Sequence, residues 1–433
     1  MYIKKVEITN IRSIDQFEMT FDTPAGWHVL IGDNGAGKST ILRSIALALI
    51  GGQQAAGLRE DWKVWLKKGE IDGRINLDLV REPNFDLTTY AGVVQGQRSL
   101  PGPIDFENFV NLEYKDDIKT VKLQTHIESF SLGYRFNWDN YYGFFSASFG
   151  PYRRFTGGSG DWNDIFENPQ LNRLGAHLTL FNESIALTET TKWLMKLQFQ
   201  KLEQKNNHLD SIKDLINSPD FLPNETKLYE INSDGVTFID RNGSVISVNE
   251  LSDGFRSILS LTFELLRLIV FSSMLENEVF LKTNSGQIFV NVPGVVLIDE
   301  IDAHLHPTWQ ARIGQWFTKY FPKIQFIVTT HSPLVCRACE DGTIWRLASP
   351  NKSSISRQVT GTEKDRLIFG NILDAYGTEI FGKSAVRSVE SGEKLERLGK
   401  LNMLFALDKI SAEEEKERLE LQKILSTDDP TGF

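Results

Sequence analysis

Gly32-Asp33-Asn34-Gly35-Ala36-Gly37-Lys38-Ser39-Thr40 is the stretch on which the fold of this chain turns. Its glycines let successive backbone N–H groups turn inward as an anion nest at a helix N-terminus. The flanks supply what such a loop needs. Trp27 to Ile31 is a short apolar strand running straight into it, and Lys38 to Ile50 carries apolar residues at helical spacing. This is the Walker A pattern in its strand–loop–helix setting. Gly32, Asn34, Gly35, Ala36 and Gly37 are expected to cradle the phosphates of ATP, Lys38 to reach the β- and γ-phosphates, Ser39 to ligate Mg²⁺, and Thr40 to meet the α-phosphate.

Outward from the loop, two further apolar runs end in chemistry. Val295-Val296-Leu297-Ile298 closes on Asp299-Glu300, the Walker B arrangement. Asp299 is expected to hold Mg²⁺ through water, and Glu300 to act as the general base for the attacking water. Phe326-Ile327-Val328-Thr329-Thr330 closes on His331, where a neutral imidazole can hydrogen-bond the γ-phosphate and orient that water. Continuous apolar runs of this kind are the mark of parallel strands buried on both faces.

Leu251-Ser252-Asp253-Gly254-Phe255-Arg256-Ser257 would be an ordinary turn if it stood alone. Between the loop at Gly32 and the carboxylates at Asp299, it resembles the LSGGQ-type signature of ABC-class ATPases. The order NIRSI, GDNGAGKST, LSDGFRS, VLIDEIDAHLHP, FIVTTHSP resembles the RecF/SMC-like branch of that class rather than membrane transporters. VLIDEIDAHLHP and TTHSP, with FGPYRR, LTLFNES, GTEIFG and STDDP, are similar to a bacterial group described as predicted ATP-binding proteins involved in virulence. ATPase subunits of anti-phage systems belong to this broad group. Among them are the Septu type, paired with an HNH nuclease, and the PARIS type, paired with a TOPRIM-like toxin.

The resemblance implies a head-to-tail dimer, or a larger oligomer, in which Ser252, Asp253 and Gly254 of one copy close over the nucleotide of the other. It also makes Asp302, His304 and His306 candidates for a D-loop at that interface, although either histidine could instead cap or pack locally. Two departures stand out. Asp253 replaces the first glycine of the usual signature, which implies slower turnover, and no glutamine sits where the Q-loop would begin, at Gly150 to Arg154. There Arg153 and Arg154 could meet phosphate, a partner or DNA, or form surface ion pairs.

The remaining sequence frames an α/β protein. The expected fold is an ABC-type P-loop ATPase head with a mixed sheet, antiparallel N-terminal strands, a largely helical insertion and a helical C-terminus. Its expected divisions are 1–155 (first lobe with Walker A), 156–234 (helical insertion), 235–350 (signature, Walker B and switch histidine) and 351–433 (helical). Asn242-Gly243 between two short strands predicts a type I′ hairpin turn.

The 433 residues, 41% hydrophobic and 24% charged, provide an ample core. A net charge of −10 argues against a uniformly basic nucleic-acid surface, while a local basic groove for DNA stays open. Cys336 and Cys339 are the only cysteines, so no disulfide framework is expected, and their C-x-x-C spacing falls inside the ATPase core, where it reads as coincidence. No apolar run suits a signal peptide or a membrane span, so a cytoplasmic protein is expected. No TOPRIM-type acidic cluster follows His331, and the sequence shows no coiled-coil arms, so a separately encoded HNH or TOPRIM-like partner would have to cut or intoxicate. The leading expectation is an ATPase (ATP + H₂O to ADP + phosphate) that acts as sensor or scaffold in anti-phage defence. A RecF-like DNA repair clamp and an ATP-holding scaffold with little turnover are its rivals.

Overall fold

The computed structural model describes residues 1–58, 60–82, 85, 105–115, 120–129, 144–152, 172–183, 189–205, 208–233, 235–272, 279–349, 355–370, 389–407 and 409–425. Contacts divide the chain into two units, Met1–Phe369 and Gly370–Phe433. In the first, β1 (Tyr2–Ile11), β2 (Ile14–Thr20), β3 (Gly26–Ile31) and helix α1 (Lys38–Ile50) are followed by β4 (Asp72–Val80), β5 (Asp105–Lys115), β6 (Thr120–Ser129) and β7 (Phe145–Phe149). Helices α2 (Asn172–Phe181), α3 (Glu189–Leu202) and α4 (Leu209–Ile216) precede β8 (Lys227–Asn232), β9 (Gly235–Ile239) and β10 (Val245–Ser247). Helix α5 (Asp253–Ser272) then leads through β11 (Phe280–Lys282) and β12 (Ile288–Val290) to β13 (Gly294–Ile298). The unit ends with α6 (Ile313–Tyr320), β14 (Ile324–Thr330), β15 (Ile344–Arg346), β16 (Arg357–Val359) and α7 (Gly361–Phe369).

Two sheets matter for the site. An antiparallel sheet runs β2-β1-β4-β5-β6, and a six-stranded sheet runs β16-β15-β3-β14-β13-β7. In the second, β15, β3, β14, β13 and β7 are all parallel, and only β16 is antiparallel. Helix α1 packs against β1, β4 and β5 of one sheet and β13 and β14 of the other. That position explains its sequence. From Ile41 to Ile50 every residue but Arg43 is buried, so the helix is apolar nearly all round rather than on one stripe. At about 25 cal/mol per Å² of apolar surface, burying Ile41, Leu42, Ile45, Leu47, Leu49 and Ile50 makes α1 the seam between the sheets. The antiparallel N-terminal strands, the helix at Lys38–Ile50 and the buried parallel strands are all found where the sequence puts them.

One local expectation is corrected. β9 and β10 do pair as a hairpin, with Val245 opposite Ile239, but the turn is not type I′. That type needs positive φ at both central residues, and Gly243 (φ 81) has it whereas Asn242 does not. Asp240 decides the shape. Its Oδ1 accepts from the Asn242 N–H at 2.9 Å and the Ser244 N–H at 2.8 Å, an Asx-type arrangement that pulls the loop one residue longer.

In the second unit, α8 (Val389–Ala406) and α9 (Ala412–Leu425) share a small core of Leu398, Leu401 and Leu421. Ser411 caps α9 through a capping box. Its Oγ accepts from the Glu414 N–H at 3.3 Å, and its own N–H donates to Glu414 Oε2 at 3.0 Å. Among the described residues, no helix is long and apolar enough to cross a membrane.

Candidate active site

Parallel strands order this site before any side chain does. Ile31 at the end of β3 lies opposite Thr330 at the end of β14. Ile298 at the end of β13 lies between Val328 and Phe149. The chain therefore leaves three neighbouring strands at one edge as Gly32, His331 and Asp299, and the carboxyl edge of an open α/β sheet is where such folds bind ligands.

The loop after β3 is held in the form the glycines were expected to allow. Gly35 and Gly37 have φ of 78° and 92°, in the left-handed region where a side chain is strained. Gly37 is the N-cap of α1 and offers no side-chain cap, so the helix opens with its amides available to an anion. Lys38 is buried, and its Nζ donates to the carbonyls of Gly32 at 2.8 Å and Asp33 at 3.1 Å. Burial pushes the ammonium below the ordinary lysine range, while the charges of Asp299, Glu300, Asp33 and Asp302 pull it back up. The lysine and the carboxylates after β13 thus share one electrostatic neighbourhood.

At the ends of β13 and β14, two threonines hold two aspartates. Thr329 Oγ1 donates to Asp299 Oδ1 at 2.5 Å and accepts the Glu300 N–H at 2.8 Å. Thr330 Oγ1 donates to Asp302 Oδ1 at 2.6 Å and accepts the Ser332 N–H at 2.9 Å. Asp302 also faces the His331 N–H, at 3.4 Å from each carboxylate oxygen. Glu300 and His304 have φ of 46° and 65°, left-handed conformations that cost a non-glycine residue about 1 kcal/mol or more. The turn Glu300–His304 is therefore strained at both ends and clamped in the middle. Sequence reading named Asp299, Glu300, Asp302 and His331 but passed over Thr329 and Thr330. Their signal was two hydroxyls directly before the histidine, closing a buried strand.

The other candidates fall on or beside this turn. His304 and His306 are exposed. His306 is the N-cap of a short helical turn begun by Pro307, with its Nδ1 accepting the Thr308 N–H at 3.4 Å. Ser252 and Asp253 are exposed at the start of α5, where the Ser252 carbonyl accepts the Arg256 N–H at 2.8 Å and Asp253 pairs with the Arg256 guanidinium. Gly254 sits against the strained turn, where a Cβ would stand 2.5 Å from the His304 carbonyl oxygen. Ser257, Ile258 and Leu261 of α5 meet Ile301 and Leu305 of the turn around a small apolar gap.

Further along α5, Glu264 is buried with Arg267, whose Nη2 lies 2.6 Å away, and accepts from Thr190 of α3 at 2.6 Å. Burial alone would raise this carboxyl, but the Arg267 charge and the two hydrogen-bond partners hold it below the usual range. Cys336 and Cys339 are buried free thiols that burial pushes up, the reverse of a reactive pair. Gly150 follows β7 and lies so close to α2 that a Cβ would meet the Thr179 carbonyl at 2.2 Å. Arg153, Arg154, GTEIFG and STDDP lie outside the described residues.

Comparison with known proteins fits this geometry. Residues 112–337 match the family model described as "AAA domain, putative AbiEii toxin, Type IV TA system". The chain belongs to that AAA-domain family. A second model, "AAA ATPase domain", matches residues 1–136, so the two together cover the edge from the glycine loop to His331. The chain is 27% identical over 354 residues to the Septu protein PtuA of Bacillus mycoides (strain KBAB4), across 79% of this chain and 40% of that protein. It is 26% identical over 424 residues to the Retron Ec83 probable ATPase of Escherichia coli, across 83% of this chain and 74% of that protein. It thus spans less than half of the PtuA relative. Among solved structures, the SMC head domain from Thermotoga maritima aligns over 83% of this chain and 99% of its own, at 13% identity and a TM-score of 0.43. The fold class is the α/β P-loop ATPase head expected from the sequence, and it stands on the strand order and the loop after β3.

Proposed function

We propose that this protein hydrolyses ATP at a head-to-tail interface between two copies and uses that cycle to sense for, or scaffold, a nuclease or toxin partner in anti-phage defence. The observation that carries the chemistry is the sheet edge where the glycine loop, Asp299-Glu300 and His331 leave three adjacent parallel strands. The amides opening α1 and Lys38 would take the phosphates. Glu300 would accept a proton from the attacking water as that water's oxygen bonds to the γ-phosphorus and the bond to the β-phosphate oxygen breaks, giving ADP and phosphate. His331 would donate a hydrogen bond to the γ-phosphate.

Magnesium fits the donor set. The Ser39 hydroxyl, directly, and the Asp299 carboxylate, through water, would be hard oxygen donors beside a phosphate cradle, the kind that suits Mg²⁺. When bound, the ion would neutralise charge between the β- and γ-phosphates. Ser252, Asp253 and Gly254 start a helix and are partly or fully exposed, which supports their use on the nucleotide of a second copy, with Asp302, His304 and His306 near the seam. The defence reading draws on the printed names of the relatives, a Septu protein and a retron ATPase, and an HNH or TOPRIM-like protein would be the partner. Within this reading 156–234 is an insertion between the two halves of the ATPase core, 351–433 is a helical extension apart from β16 (Arg357–Val359), which pairs with β15 in the core sheet, and the protein acts in the cytoplasm.

The test is Glu300→Gln in the full chain. It should bind ATP as the native chain does, measured by calorimetry, while kcat falls by about 10²- to 10⁴-fold. Native turnover in that variant removes Glu300 as the base.

A further inference from the structure

We infer that Thr329 is a positioning residue for the metal- and water-handling carboxylates, setting Asp299 and Glu300 as one unit. This rests on the ATPase reading above and adds a residue to it. Thr329 is wholly buried at the end of β14 and serves three consecutive residues of the neighbouring strand's exit. Its hydroxyl donates to Asp299 Oδ1 at 2.5 Å and accepts from the Glu300 N–H at 2.8 Å, and its carbonyl accepts from the Ile301 N–H at 3.0 Å. One hydroxyl therefore fixes the direction of the Asp299 carboxylate and the backbone from which the Glu300 side chain springs.

That backbone needs fixing. Glu300 holds φ 46° without being glycine, a conformation that persists only where neighbours over-determine it. A hydroxyl hydrogen-bonded to a ligating carboxylate also decides which lone pairs that carboxylate turns toward a cation. Valine would preserve the shape of Thr329 and suit a central strand equally well, yet it would lose the donor to Asp299 and the acceptor for Glu300 together. A purely structural hydroxyl would leave metal dependence untouched, and this is what separates the two roles.

The experiment uses the full chain as native protein, Thr329→Ser, Thr329→Val and Thr329→Cys. It measures the Mg²⁺ concentration giving half-maximal binding of a non-hydrolysable ATP analogue, then kcat and KM for ATP. In Thr329→Val the Mg²⁺ midpoint should rise and kcat fall by about 10- to 100-fold, with analogue binding in EDTA unchanged. Thr329→Ser, which restores the hydroxyl, should stay near native. Thr329→Cys, with a weak donor, should lie between, and it carries the test if the valine chain does not fold. An unshifted Mg²⁺ midpoint in Thr329→Val, or in Thr329→Cys where the valine chain does not fold, overturns the inference, as does a serine variant as impaired as the valine. A native chain whose nucleotide binding ignores Mg²⁺ overturns the parent reading as well. Failure of the Glu300 assignment alone leaves the midpoint readout intact.

Discussion

At the carboxyl edge of the parallel sheet, Thr329 and Thr330 are buried and each binds an acidic residue of the neighbouring turn at 2.5–2.6 Å. At the start of α5, Ser252 is exposed, and the Asp253 side chain is 78% exposed beside its own Arg256. Both regions are candidate phosphate-binding surfaces, yet one is wired within the chain and the other faces outward. A buried polar network has to be satisfied in the monomer, because an unpaired group there costs about 1–3 kcal/mol. An exposed helix start is kept satisfied by water and is free to take its partner later. The first region is thus built for precision and the second for association. Gly254 links them, its missing Cβ letting the start of α5 press on the His304 carbonyl.

The comparison is most exposed to a change at the outward side. Ser252→Arg places a long cation at the helix start without touching the buried network. ATP binding should be unchanged, while turnover falls by about 10²- to 10³-fold, the cost of losing one group that stabilises transition-state charge. ATP-driven dimerisation, followed by light scattering in the Glu300→Gln background, should vanish. Normal closure and turnover in Ser252→Arg would show that α5 meets no second nucleotide.

The joint between the two regions comes next. Gly254→Ala puts a methyl against backbone rather than a flexible side chain, so relief requires α5 or the strained turn to move. The expected cost is about 1–3 kcal/mol of stability, seen as a lower melting temperature. Turnover should drop with it, because the turn that shifts also bears Glu300 and Asp302. A variant that melts like the native chain would mean the two regions are not mechanically joined there.

The sequence made the inward region legible and the outward one partly so, for physical reasons. Continuous apolar runs reveal buried parallel strands, and Asp299, Glu300 and His331 stand at their ends, so their shared edge follows once the order β3-β14-β13 is known. That order is not in the pattern itself. Thr329 and Thr330 escaped because threonine is an ordinary strand residue, and only pairing across β13 and β14 turns their hydroxyls into ligands of acidic groups. Asp302, a candidate for the seam between two copies, also bonds to Thr330 and His331 within its own chain, and that bonding depends on strand pairing the pattern does not show. Register likewise cannot foretell that Asp240 would override the Asn242-Gly243 turn.

The smallest expected effect is the most discriminating. Asp253, at a glycine position of the signature that this stretch resembles, is exposed in the first turn of α5. There it gains from the helix dipole by about 0.3–1 kcal/mol, so Asp253→Gly should cost slight stability. If the start of α5 faces the γ-phosphate of a second copy, the same carboxylate repels it. At about 4 Å in water that repulsion is roughly 1 kcal/mol, and removing it should raise turnover roughly fivefold. The two effects have opposite signs, so a single substitution should make the protein faster and marginally less stable. The gain in rate should also shrink as salt rises, since an exposed charge is screened within about 10 Å at 0.1 M. A variant that loses stability without gaining rate would put Asp253 away from phosphate and leave the slow step to the wired edge, where Thr329 and Asp302 hold the turn.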